Sequence, residues 1–152
     1  AAAEAKSCWS LSNLAVNDEA RTRIAGEGGI EVLLQVMEKH IGSSSVQEQG
    51  CRALGNLAVN ATNKTAIARV GGIKAVLAAM QQWHARDGVQ AQGCRALRNL
   101  GVNPANQTRI TEEGGVEVVL QAMRDHTAVA QVQEQGCCAI SNLAVKTENK
   151  AR

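Results

Sequence analysis

Four asparagines, Asn13, Asn56, Asn99 and Asn142, recur at intervals of 43 residues. A side-chain amide carries both a donor and an acceptor, the complement of one peptide unit, so a row of them can hold another chain's backbone. Four residues before each stands Trp9, Arg52, Arg95 or Cys138, and Arg98 immediately precedes Asn99. Guanidinium groups favour carboxylates through paired hydrogen bonds, so this pattern points to an acidic or mixed-charge ligand. Glu48 lies four residues before Arg52, a favourable helical pair that would partly neutralise it. The competing reading ties the asparagines to their own unit and the arginines to neighbouring helices.

Other residues that can do chemistry lack the partners it needs. Cys8, Cys51, Cys94 and Cys137 share the interval of 43, which would set them one helix spacing apart, roughly 8 to 10 Å, too far for a disulfide. They read as core, while Cys138 reads as an accessible thiol on the same face as the arginines. His40, His84 and His126 sit apart from the cysteines in the pattern and no C-x-x-C pair occurs, so no metal site is expected. Gly26-Glu-Gly-Gly29 lacks the spacing of a phosphate loop, and Ser43-Ser-Ser45 is not a nucleophile elbow. Glu112 and Glu113 point about 100° apart on a helix. No catalytic residue and no cofactor is therefore expected.

The elements that must position these residues follow from the repeat. Residues 46–88 and 89–131 share 22 identities in 43 positions without an insertion, which makes this a solenoid whose units bury their apolar faces against each other. Each period holds three apolar-periodic stretches. The first, as in Asn63 to Val70, is a short helix stopped by a Gly-Gly pair, and Pro104 suits the start of its counterpart. The second carries Ile30, Leu33, Leu34 and Met37, then Ile73, Val76, Leu77 and Met80, then Val116, Val119, Leu120 and Met123, at helical i, i+3, i+4, i+7 spacing. Trp83 follows the middle stretch, where packing on the outer surface is expected of it.

The third stretch is the longest. Val46, Gly50, Cys51, Ala53, Leu54, Leu57 and Ala58 gather on one side of a helix, and Glu48, Gln49, Arg52 and Asn56 on the other. Ser45-Val-Gln-Glu48 matches a capping box. With no alternating strand pattern, the expected fold is an all-α right-handed solenoid with three helices per repeat.

Composition bounds the function further. The chain has 152 residues, 45% apolar and 20% charged, a net charge of +2, two tryptophans and no tyrosine or phenylalanine. Base stacking on aromatic rings is disfavoured, and the charge is too mild to imply a nucleic-acid or membrane partner. No apolar run is long enough to span a bilayer. Free thiols suit a reducing compartment, cytoplasm or nucleus. The chain begins without methionine, as expected of a truncated or designed array.

The string Val-Gln-Glu-Gln-Gly-Cys-Arg-Ala-Leu-Gly-Asn-Leu-Ala (46–58), followed by Asn63-Lys64 and Ile67 and then the Gly71-Gly72-Ile73 run to Met80, resembles the armadillo repeat over essentially the whole chain. The resemblance implies a third helix at 1–16, complete units at 17–59, 60–102 and 103–145, and part of a further first helix at 146–152. It also implies that the third helices line a concave groove where asparagines grip an extended partner. Family members that bind basic peptides place tryptophan four residues before each asparagine; here only Trp9 matches, so the groove centre, with Arg95 and Arg98, should take an acidic or mixed segment. Two other readings stay open: a structural array that associates end to end, and a nucleic-acid-binding solenoid.

Overall fold

The computed structural model describes the backbone of residues 1–151 and the side chains of residues 1–145. Helix α1 (Ala2–Leu14) comes first, followed by three triplets. These are α2 (Asp18–Gly26), α3 (Gly29–Lys39) and α4 (Ser44–Leu57); α5 (Ala61–Arg69), α6 (Gly72–Gln82) and α7 (Asp87–Leu100); and α8 (Pro104–Glu112), α9 (Gly115–Asp125) and α10 (Ala130–Ala151). No strand occurs among the described residues.

Local chemistry sets the breaks. Asn17, Asn60 and Asn103 cap the three short helices by accepting from Ala20 N, Asn63 N and both Ala105 N and Asn106 N. Pro104 opens α8, where a missing amide hydrogen leaves nothing unpaired. Gly28, Gly71 and Gly114 turn the chain into the following helix with φ of 84°, 94° and 85°, a region that β-carbons disfavour. The start of α4 differs from the expected Ser45 capping box. Ser43 is the cap, accepting from Val46 N at 3.3 Å, because the helix begins two residues earlier than that motif requires.

Helices α1, α4, α7 and α10 pack one upon the next in a continuous row, with the second helices against them. Leu54, Leu57, Leu97 and Leu100 are at most 1% exposed, and each such burial contributes roughly 2 kcal/mol. The third helices approach the second ones closely because Gly50 and Gly93 carry no β-carbon; one there would come within 2.6 and 2.5 Å of Met37 and Met80. Buried amides complete the join. Gln47 donates to the carbonyls of Met37 and His40, and Gln90 to those of Met80 and Trp83, satisfying last-turn carbonyls that have no partner within their own helix.

Three expectations change at the far end of the array. The break before 146 is absent, and α10 runs on to Ala151. Lys146 stands where Asn17, Asn60 and Asn103 supply a cap, and lysine has no acceptor to offer. Arg152 and the side chains of 146–152 lie outside the described residues. Cys137 is exposed rather than core, because among the described residues no later helix packs on α10 as α7 packs on α4 and α10 on α7. Val116, Leu120 and Met123 are only half-buried for the same reason.

Candidate peptide-binding face

Asn13, Asn56 and Asn99 sit in the last turn of a third helix and Asn142 at the equivalent level inside the longer α10; the carbonyls of the last turns of α1, α4 and α7 lack intrahelical donors. Asn99 Nδ2 donates to Gly55 O at 2.9 Å and Asn142 Nδ2 to Arg98 O at 2.9 Å, in each case reaching back to the preceding third helix. Asn56 Nδ2 reaches both Ser12 O at 2.9 Å and Ser12 Oγ at 2.8 Å. These bonds join neighbouring units, so the expected alternative, a tie within the asparagine's own unit, is not what forms. Asn56, Asn99 and Asn142 are half-buried, and their Oδ1 atoms accept no hydrogen bond from the described residues. Asn13 is exposed, and its side chain makes no such bond among the described residues.

The arginines stand beside this row. Arg95 lies across α4, its Nη1 3.0 Å from where a β-carbon on Gly55 would be. Burial pushes the Arg95 guanidinium below its ordinary pKa, and the like charges of Arg98, Arg52 and Arg21 push the same way. Arg98 Nη1 donates to Gln135 Oε1 on α10 at 3.0 Å. Among the described residues no ion pair involves Arg52, Arg95 or Arg98. The expected Glu48–Arg52 pair is not made. The Glu48 carboxylate instead fills the space beside Gly88 in the first turn of α7, where the helix dipole favours negative charge. Arginine-to-acid pairs between neighbouring third helices, the other expected alternative, are likewise absent among the described residues.

Trp9 is 49% exposed on α1. Trp83 ties units together on the other surface, donating from Nε1 to Ile41 O at 2.8 Å, and His126 Nε2 meets His84 O at the equivalent place. Cys138 is half-buried, all five cysteines are free, and no group of three or more metal-ligating side chains gathers among the described residues. No helix of the described residues is long and apolar enough to cross a membrane.

The sequence reading missed several residues that shape this face. Arg21, on α2, has a side chain only 16% exposed, and its charge reaches Arg95. Its counterparts are Lys64 and Gln107, so the period hides it. Asn63 and Asn106 are buried and donate to Leu57 O and Leu100 O, the next last-turn carbonyls along. Their interval of 43 was the available signal.

The chain matches the armadillo-like family over residues 28–151. No curated protein matches it. Among solved structures, the crystal structure of an engineered protein is similar, with a TM-score of 0.81 and 28% sequence identity over 93% of this chain. This chain spans 56% of that protein's length.

Proposed function

Because the chain belongs to the armadillo-like family, we propose that it is a non-enzymatic scaffold holding an extended, acidic or mixed-charge segment of another protein along its third helices. One observation carries this reading: Arg52, Arg95 and Arg98 stand together beside the asparagine row with no carboxylate paired to them among the described residues. Half-buried guanidinium groups that repel one another are stabilised by an anion from outside. The asparagines contribute differently from the simple two-sided ladder. Their Nδ2 groups cap the preceding helix, leaving Oδ1 to accept an N–H from the bound backbone. Stacked helices are about 8 to 10 Å apart and an extended chain advances about 3.3 Å per residue, so one such bond falls every two or three ligand residues. Arg95 and Arg98 then meet acidic side chains, and Arg52 and Trp9 extend the contact toward α1.

The test is fluorescence anisotropy with labelled Glu-rich and Lys-rich peptides of equal length. The Glu-rich peptide should bind, and the double charge reversal Arg52→Glu with Arg95→Glu should abolish that binding and admit the Lys-rich peptide. Equal binding of both peptides to the unaltered chain would refute the proposal. A second reading, end-to-end association of copies, is favoured by Cys137 and Ala144 being exposed at positions whose equivalents Cys51, Cys94 and Ala58 are fully buried. Light scattering across a concentration series tests it, and a constant monomer mass would exclude it.

A further inference from the structure

The arginine cluster is more concentrated than a single carboxylate would need. Four guanidinium groups from three helices share one field, in which Arg98 on α7, Arg52 on α4 and Arg21 on α2 each add like charge at Arg95 on α7. Arg95 is central, because its guanidinium crosses to Gly55, one turn beyond Arg52 on α4, while Arg98 follows one turn later on its own helix. Gly55 eases this crossing, since a β-carbon there would come within 3.0 Å of the guanidinium and push it aside. Among the described residues the only carboxylate paired with any of the four is Asp18, whose side chain is 74% exposed and which holds Arg21 at 3.3 Å. Arg21 Nε is buried without a hydrogen-bond partner, and Arg98 uses Nη1 on a neutral amide, which leaves its charge uncompensated.

Resting on the peptide-binding reading above, we infer that the Arg21–Arg52–Arg95–Arg98 cluster is a subsite for a phosphorylated serine or threonine of the bound segment. A phosphomonoester carries about −1.5 to −2 charges and three acceptor oxygens, so one group can serve two guanidinium forks together. A carboxylate has one charge and two oxygens, and leaves most of the repulsion around Arg95 in place. The register also fits. Asn99 lies four residues after Arg95 on α7, about 6 Å along the axis, so a residue whose N–H meets Asn99 Oδ1 can direct its side chain back over Arg95. Carbonyl capping by Asn99 fixes α7 against α4 at this level and sets the two arginine-bearing helices in register.

The experiment compares three labelled peptides of one acidic sequence whose central residue is Ser, Glu or phosphoserine, at fixed ionic strength. The phosphoserine peptide should bind about tenfold or more tightly than the Glu peptide. Arg95→Gln should bring it to the level of its Ser form, and Arg95→Lys, which keeps the charge but loses the fork, should retain part of the gain. Thermal melts establish that the variants are folded, and Arg98→Gln gives an independent second loss. If Ser, Glu and phosphoserine peptides bind equally, the phosphate subsite is refuted while the peptide reading stands. Binding of none of them refutes both. Inorganic phosphate alone displacing the phosphoserine peptide at equal concentration would also overturn the inference, since the site would then read a free anion rather than a modified chain. So would a single-stranded RNA oligonucleotide that binds more tightly and is lost on Arg95→Gln.

Discussion

The Gln90 side-chain nitrogen lies 3.0 Å from the Met80 carbonyl and 3.0 Å from that of Trp83, which fastens the end of α6 to the first turn of α7. The glutamine is 2% exposed, so no water can replace it. Gln90→Leu should therefore lower the unfolding free energy by about 2 kcal/mol, the cost of stranding a buried acceptor. Gln133 makes the same two bonds at 2.9 Å but is half-buried. Gln133→Leu should cost less, and urea denaturation of the two variants would expose the difference.

Asn99 and Asn13 occupy equivalent positions with unequal roles. Asn99→Ala leaves the Gly55 carbonyl without its donor and should cost about 1 kcal/mol. Asn13→Ala removes nothing that the described structure uses and should be close to neutral. Equal urea midpoints for the two variants would contradict the capping role.

Gly71 has a φ of 94° and open space around its missing β-carbon. Any cost of Gly71→Ala is then conformational rather than steric, about 1 kcal/mol. Gly42 is equally uncrowded but lacks a positive φ, so Gly42→Ala should be neutral or slightly stabilising. Thermal unfolding of both variants measures the contrast.

Burial pushes the Cys51 and Cys94 thiols up to about 12. In the unfolded chain they ionise near 9.0, so between these values the unfolded state binds fewer protons and stability falls as pH rises. The contribution is complete below pH 9 and lost toward pH 12. Cys51→Ala should make the alkaline decline shallower. At neutral pH, a thiol reagent should modify exposed Cys137 rapidly and reach Cys51 and Cys94 only as fast as the chain unfolds. Rapid labelling of all five would show the core to be open.

The helices were legible because their causes are local and repeated. The Asn60 and Asn103 caps, the Gly71-Gly72 stop and the Ile73, Val76, Leu77, Met80 stripe each act within one or two turns. The site was less so. A hydrogen bond from Asn99 to Gly55 spans 44 residues, and nothing in either residue type says that an amide on the outward side of a helix will turn toward a carbonyl one helix away. Glu48 looked paired to Arg52 by spacing alone, yet the empty flank of Gly88 on the next unit draws it aside.

What the sequence determined by itself is the unit: its length, its three helices, their stops and the side of each that goes inward, because hydrophobic periodicity and capping are properties of contiguous residues. Only the stacking of units decided which donors are spent, which arginines lie together and which cysteines are covered. Those outcomes depend on distances between residues about one period apart, which a linear string does not contain.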